Sequence, residues 1–479
     1  MPIGWIMSED NIQLYQKRIP IYPRSVKGRF RNLKTGIMAL AYIVYFLLPW
    51  LRWDRPNAPD QAVLYDLPGR HFYVFGLTIQ VQDIFWLAGV LIIFAILLFF
   101  VTGLAGRVWC GYFCFQTLWT DLYMMIEHWV QGERPARMRL DKGPWNREKL
   151  IKRGGTYGLW LLVALWTGVT FTAYWVNAPT LIVELLTGQA PYAAYFTTFF
   201  LTTTTFVMAG LAREQVCVYM CPWPRIQASL TDEWALNVTY KYDRGETRTS
   251  LKKARDLRAL GEQVGDCVDC YQCVAVCPTG IDIRDGAQLA CIQCGLCIDA
   301  CDNVMTKIGR PTRLIGYDND INIQRRLAGK PEIVRLIRPR TIAYLAMIAA
   351  VGAVMLYALL TRTVLDISAL HDRNPIAVRL SDGSIRNAYT VRLLNKRQTE
   401  RTVVLDVEGV PNARLHVVGA ELSGNDQPTV LLGPDRTIEL RVLVTAPAAE
   451  APKSVPVTFR VTDPGLNETS TTTDNFVQP

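Results

Sequence analysis

Cys267-Val268-Asp269-Cys270-Tyr271-Gln272-Cys273-Val274-Ala275-Val276-Cys277-Pro278 decides the fold, together with its repeat, Cys291-Ile292-Gln293-Cys294-Gly295-Leu296-Cys297-Ile298-Asp299-Ala300-Cys301. Both runs read C-x2-C-x2-C-x3-C, with Asp302 where the first run has Pro278. That is the spacing of a bacterial two-cluster ferredoxin, in which the fourth thiolate of each run ligates the other cluster. One [4Fe–4S] cluster is therefore expected on Cys267, Cys270, Cys273 and Cys301, and a second on Cys291, Cys294, Cys297 and Cys277. Three thiolates on one short loop wrap three corners of a cubane, and the crossed fourth locks both halves into one small domain. Structural zinc also takes four thiolates, but from two CxxC pairs rather than two runs of four.

Working outward, the other four of the twelve cysteines form two pairs, Cys110 with Cys114 and Cys217 with Cys221, the latter followed by Pro222. Each pair is spaced i, i+4, so on a helix its two sulfurs share one face. Each follows the end of a long apolar run, which puts the pairs at similar membrane depth, where helix packing can bring all four thiols together. Soft thiolates favour Cu(I), zinc or iron–sulfur clusters, and a thiol pair can also cycle through a disulfide. Met124, Met125, His128 and Met220 lie close enough in sequence to add ligands, although ordinary packing is the better reading of each.

Five runs are long and apolar enough to span a bilayer: Gly36–Trp53, Asp83–Leu104, Gly155–Val176, Ala193–Ala212 and Thr341–Thr361. Lys17, Arg18, Arg24, Lys27, Arg29, Arg31 and Lys34 precede the first, and Arg134 through Arg153 crowd the loop between the second and third. Basic loops stay in the cytoplasm, so the cysteines fall on or near the cytoplasmic side and everything after Arg362 is periplasmic. The formal charge of +9 belongs to these loops rather than to a soluble basic face, which argues against a nucleic-acid partner. Cysteines in metal-type spacings rather than a disulfide framework fit a reducing compartment. The first apolar run lies too far from the N-terminus, and lacks the cleavage site, for a signal peptide.

Beyond Thr363 the chain changes to short β-rich runs: Tyr389–Leu394, Thr402–Val407, Leu415–Val418, Thr437–Val444 and Val455–Val461. Turn signals such as Gly433-Pro434-Asp435 separate them, which suggests an immunoglobulin-like β-sandwich without a disulfide. The plan is thus a multidomain membrane protein: an α-helical transmembrane bundle of about five spans, a 2[4Fe–4S] ferredoxin domain and a C-terminal β-sandwich. Its parts are a cytoplasmic arm (1–35), a four-helix membrane region (36–212), a linker (213–260), the ferredoxin-like domain (261–310), a second linker (311–340), a fifth span (341–362) and a periplasmic domain (363–479). Arg213 and Glu214, at a helix end, read as an interfacial anchor.

Carried together, these features resemble the cytochrome c oxidase accessory proteins called CcoG or FixG, of RdxA type, a polyferredoxin-like membrane family. The resemblance rests on Cys110-Gly111-Tyr112-Phe113-Cys114 with Gln116-Thr117, on Arg213-Glu214-Gln215-Val216-Cys217 through Cys221-Pro222, on the crossed cysteine runs, and on Asp372-Arg373-Asn374-Pro375 and Arg379–Asn387 in the tail. Phe115 departs from the proline that usually follows the family's first pair, which removes the sequence signal for a helix break after Cys114. The resemblance implies an inner-membrane oxidoreductase that reduces Cu(II) to Cu(I) for assembly of a cbb3-type oxidase, with copper at Cys110, Cys114, Cys217 and Cys221. Copper chaperones and oxidase assembly factors would be its partners, and a quinol or a cytoplasmic reductant its electron donor; a homodimer is allowed. The alternatives are a quinol-to-acceptor relay and a non-redox copper scaffold.

Overall fold

The computed structural model describes residues 20–55, 58–80, 83–361, 363–397, 399–419, 421–422, 427–434, 436–447 and 453–478. Lys17, Arg18, Arg362, Asp435 and most of the N-terminal arm lie outside the described residues. The chain divides into one compact unit running through Gln61–Ala353 and a second through Val354–Pro479.

Among the described residues, five helices are long and apolar enough to cross a membrane: Arg29–Trp50, Phe85–Ala105, Arg147–Ala173, Tyr192–Ala212 and Pro339–Leu360. Phe85–Ala105 has a mean hydropathy of 2.9 and is apolar all round, with Leu91 and Phe94 on its open face. Such a helix is built for lipid. The first span starts seven residues before the Gly36 expected from hydropathy, because its basic first turns are not left in water. Asp299, from the helix Leu296–Lys307, accepts hydrogen bonds from the free N–H groups of Phe30 (3.1 Å) and Arg31 (2.8 Å). A carboxylate there satisfies orphan donors and the positive end of the helix dipole.

The segments 213–260 and 311–340 are not linkers. Strand Asn237–Tyr240 pairs antiparallel with Ile315–Asp318, closing the cysteine-bearing loops between them. Val238, Tyr240, Ile283, Ile298, Met305, Leu314 and Ile315 form one core around Cys267, Cys273 and Cys301. The ferredoxin domain therefore reaches well beyond 261–310. A three-stranded meander, Val63–Asp66, His71–Val74 and Leu77–Gln80, follows the first span.

Among its described residues, the second unit is a sandwich of two five-stranded antiparallel sheets. Alternate residues of Ile385–Asn395, Arg401–Glu408, Arg436–Ala446 and Ser454–Asp463 bury Tyr389, Val391, Leu405, Val442, Phe459 and Val461 between them. Glu468–Val477 adds a strand that composition hides: its Thr-rich face is open and only Phe476 is fully buried.

Candidate redox site

The two cysteine runs bring their thiols together in a crossed order. Burial, reinforced by neighbouring Cys273, Asp302, Cys270 and Cys267, pushes the Cys301 thiol up to about 12. Burial also holds the Cys297 thiol far above its ordinary value, helped by Cys294, Cys291, Cys277 and Cys273. Cys273, Cys277, Cys291, Cys294 and Cys297 line one small cavity. Asp269, Tyr271, Gln293 and Gly295 are left-handed, so the loops curl and turn N–H groups inward. Amides of Val274, Gln293 and Leu296 reach the sulfurs of Cys273, Cys291 and Cys294. Such amide nests stabilise negative charge.

A buried charge points the same way. The Lys34 side chain is fully buried and its ammonium has no hydrogen-bond partner among the described residues. Its carboxylate neighbour Asp121 stands 3.8 Å off and is already engaged by Arg31 at 2.9 Å. Two cations thus face one anion, and the surplus positive charge bears on the Cys294 thiol. A thiolate-ligated iron–sulfur cluster is anionic and supplies the missing countercharge, so these residues fit the group. We expect Lys34→Met to lower the midpoint potential of the cluster on this loop by about 59 mV, one tenfold step for a one-electron couple. Redox titration followed by electron paramagnetic resonance checks this; an unmoved potential would mean that Asp121 neutralises Lys34 completely.

The four remaining cysteines are gathered by one backbone device used twice. Cys110 lies in the helix Val108–Tyr112, and the amide of Cys114 donates to Trp109 O (3.0 Å) before the chain extends at φ −64°, ψ 124°. Cys217 lies in the π-helix Val216–Met220, and the amide of Cys221 donates to Val216 O (2.8 Å) before φ −81°, ψ 124°. In both, the widened i to i−5 turn ends the helix at the second cysteine. The thiols of a pair therefore do not share a continuous helical face, and the break at Cys114 occurs without a proline. Burial pushes Cys110 up to about 11 and Cys217 to about 12; Cys114, Cys110 and Cys221 all bear on Cys217. Among the described residues no three ligating groups converge tightly on a single ion.

Cys110 does not stand apart from the ferredoxin loops. It packs in one apolar cluster with Ile292, Cys294, Leu296 and Val276, and its thiol donates to Gln227 Oε1 at 3.1 Å. The Arg107 amide donates to Gln293 Oε1 (2.7 Å), and the hydroxyls of Tyr112 and Tyr317 donate to the carbonyls of Cys294 (2.9 Å) and Gln293 (2.6 Å). Gly111 permits this approach: a Cβ there would meet Ile292 O at 2.8 Å and the Cys294 backbone at 3.0 Å.

The other sequence candidates lie elsewhere. His128 is tied to Met124 O (2.6 Å) and Pro23 O (3.0 Å), Met125 Sδ faces Arg31, and Met220 is exposed. Arg213 and Glu214 are not an interfacial anchor. Glu214 is buried, and Arg213 pairs with Glu127, donates to Gly210 O (2.7 Å) and lies over the Trp160 ring. Asp83 is buried as well.

Three stretches match described families: a 4Fe-4S binding domain at residues 87–133, a 4Fe-4S dicluster domain at 212–320, and the IG-like fold at the C-terminus of FixG at 355–479. The first two contain the membrane-edge pairs. Over 496 residues the chain is 45% identical to the nitrogen fixation protein FixG of Rhizobium meliloti, covering 97% of this chain and 94% of that one. It is 46% identical over 461 residues to protein RdxA of Cereibacter sphaeroides, covering 94% and 95%. The crystal structure of a FixG-related protein from Vibrio parahaemolyticus is similar over 24% of this chain and 97% of that one, at 20% identity and a TM-score of 0.21.

Proposed function

Because the chain belongs to the FixG family of membrane iron–sulfur proteins, we propose that it reduces Cu(II) to Cu(I) at Cys110, Cys114, Cys217 and Cys221. The observation that carries this reading is the packing of Cys110 against the Cys291–Cys297 loop, which joins the membrane-edge thiols to the ferredoxin domain. Two [4Fe–4S] clusters, one on Cys267, Cys270, Cys273 and Cys301 and one on Cys291, Cys294, Cys297 and Cys277, supply single electrons when bound.

Copper is the substrate. Thiolates prefer Cu(I) to Cu(II), so the site favours the reduced ion, and a dithiolate pair suffices for a metal that does not demand a four-ligand cage. The buried thiols must each give up a proton to bind it, which Arg107 beside Cys110 eases. By the positive-inside rule the ferredoxin domain would lie in the cytoplasm of a bacterium and the β-sandwich in the periplasm, where it would meet oxidase assembly factors. Cu(I) would then pass to thiol-based chaperones that load a cbb3-type oxidase.

The test is anaerobic: the reduced protein receives Cu(II) while cluster oxidation and Cu(I) formation are followed together. We expect both to proceed in step, and the variant with all four membrane-edge cysteines changed to Ser to keep its clusters and lose the reaction. Bound copper that stays Cu(II) beside reduced clusters would overturn the proposal in favour of a scaffold.

A further inference from the structure

We propose that the cavity beside Cys114 binds a hydroquinone drawn from the lipid phase. This rests on the reading of the thiol site above and names its electron donor. The cavity has a volume of about 270 Å³ and lies among spans one, three and four and the helix Phe115–Gln131. That is near the low end of small-molecule sites, room for a substituted ring with its tail left in lipid. Its walls are aromatic: Tyr45, Phe115, Trp119 and Phe171. Two of them are fixed by their own polar ends. The Tyr45 hydroxyl donates to Thr167 O (2.9 Å), and Trp119 Nε1 donates to Thr167 Oγ1 (3.0 Å).

Two polar groups in the lining are unmet. Gln116 is buried, and its amide Nε2 is held by Met208 O at 2.9 Å and Thr120 Oγ1 at 3.2 Å. Among the described residues its carbonyl Oε1 and the Thr205 hydroxyl make no hydrogen bond, and both are open to the cavity rather than sealed in the core. An occupant must therefore arrive through the membrane, be flat, and bring an O–H for Gln116. An acyl chain would fill the walls and leave that acceptor unmet, which is unfavourable in a buried site. A hydroquinone donates one O–H to Gln116 Oε1, and its other ring oxygen accepts from the Thr205 hydroxyl, as the quinone carbonyl does after oxidation.

Phe115, in the wall, follows Cys114 directly in the chain, so the cavity lining begins one residue from that thiol. The step balances as one hydroquinone and two Cu(II) giving one quinone, two Cu(I) and two protons. Both ring O–H bonds break, each cupric ion takes one electron, and the protons leave to water at the membrane edge.

The full chain in phosphatidylcholine nanodiscs, free of copper, would be titrated with a decyl-tailed benzoquinol and with decanol as the acyl mimic. We expect saturable binding of the quinol that decanol does not displace. Gln116→Leu should weaken it by about tenfold, and the near-isosteric Thr205→Val in the same direction. Melting midpoints report whether each variant folds. Equal competition by decanol, or unchanged affinity in both variants, would overturn the proposal. Cu(II) reduction by the unmodified protein, its clusters reduced with dithionite and the excess removed before copper is added, separates the two readings. If it proceeds while quinol does not bind, only the donor assignment fails; if it does not proceed, the reductase reading fails first.

Discussion

Glu127→Gln is expected to destabilise the membrane unit by roughly 3–5 kcal/mol, the range for removing one partner of a buried ion pair. Glu127 stands between two guanidiniums, accepting from Arg137 at 3.1 Å and also from Arg213. Arg137 is 1% exposed, and its Nη2 donates onward to Pro23 O. Glutamine keeps the shape but can neither neutralise two cations nor accept from both on two oxygens. The variant therefore leaves the buried Arg137 and the partly buried Arg213 without the carboxylate between them. Arg213 also sits at the left-handed joint between the π-helices Phe206–Ala212 and Val216–Met220, so its release should loosen the segment that presents Cys217. Denaturant unfolding in micelles reads the first effect, and alkylation of Cys217 the second. A loss below about 1 kcal/mol would mean that water screens the pair as it does at a surface.

Gly111→Ala is the second large effect. The added carbon meets backbone atoms, Ile292 O and Cys294 N and Cα, which cannot swing aside as a side chain could. Overpacking of this kind costs typically about 1–3 kcal/mol. Here the helix carrying Cys110 and the loop carrying Cys294 must part, which stretches the Tyr112 to Cys294 hydrogen bond. We expect the paramagnetic signal of the cluster on the Cys291–Cys297 loop to change while that of the Cys267–Cys273 run stays as it was. On the proposed reductase reading, copper reduction should slow as well, since displacements of about 1 Å can cost up to a hundredfold in rate. Two unaltered signals with unaltered stability would show that the contact is looser than its geometry.

Local patterns carried much of this protein in plain view. The spacing within each cysteine run depends on a few consecutive residues, so the iron–sulfur domains were legible from Cys267 to Cys301. Hydropathy over about 20 residues is equally local, and each of the five spans lies where it points. Alternation in Tyr389–Leu394 and Thr437–Val444 revealed the β-sandwich, whereas Glu468–Val477 was hidden because an edge strand needs no apolar alternation on its open face. The family followed from cysteine pairs and tail motifs together.

What the sequence could not determine depends on contacts between residues far apart in the chain. Lys34 reads as one more basic residue of a cytoplasmic arm until Asp121 and the Cys294 loop close around it. Arg213 reads as an anchor until Glu127 meets it across 86 positions. An i, i+4 spacing could not reveal that both helices stop at their second thiol, because the i to i−5 turn answers to packing at the helix tip. Gly111 is one glycine among 33, and only the backbone of Ile292 and Cys294 pressed against it gives it a role. The sequence by itself determined which cofactors and which solvent each segment is made for, since these depend on residue type and spacing. Tertiary structure alone decided which thiols, charges and cavities share a site, because burial and Coulomb energy depend on distance in space.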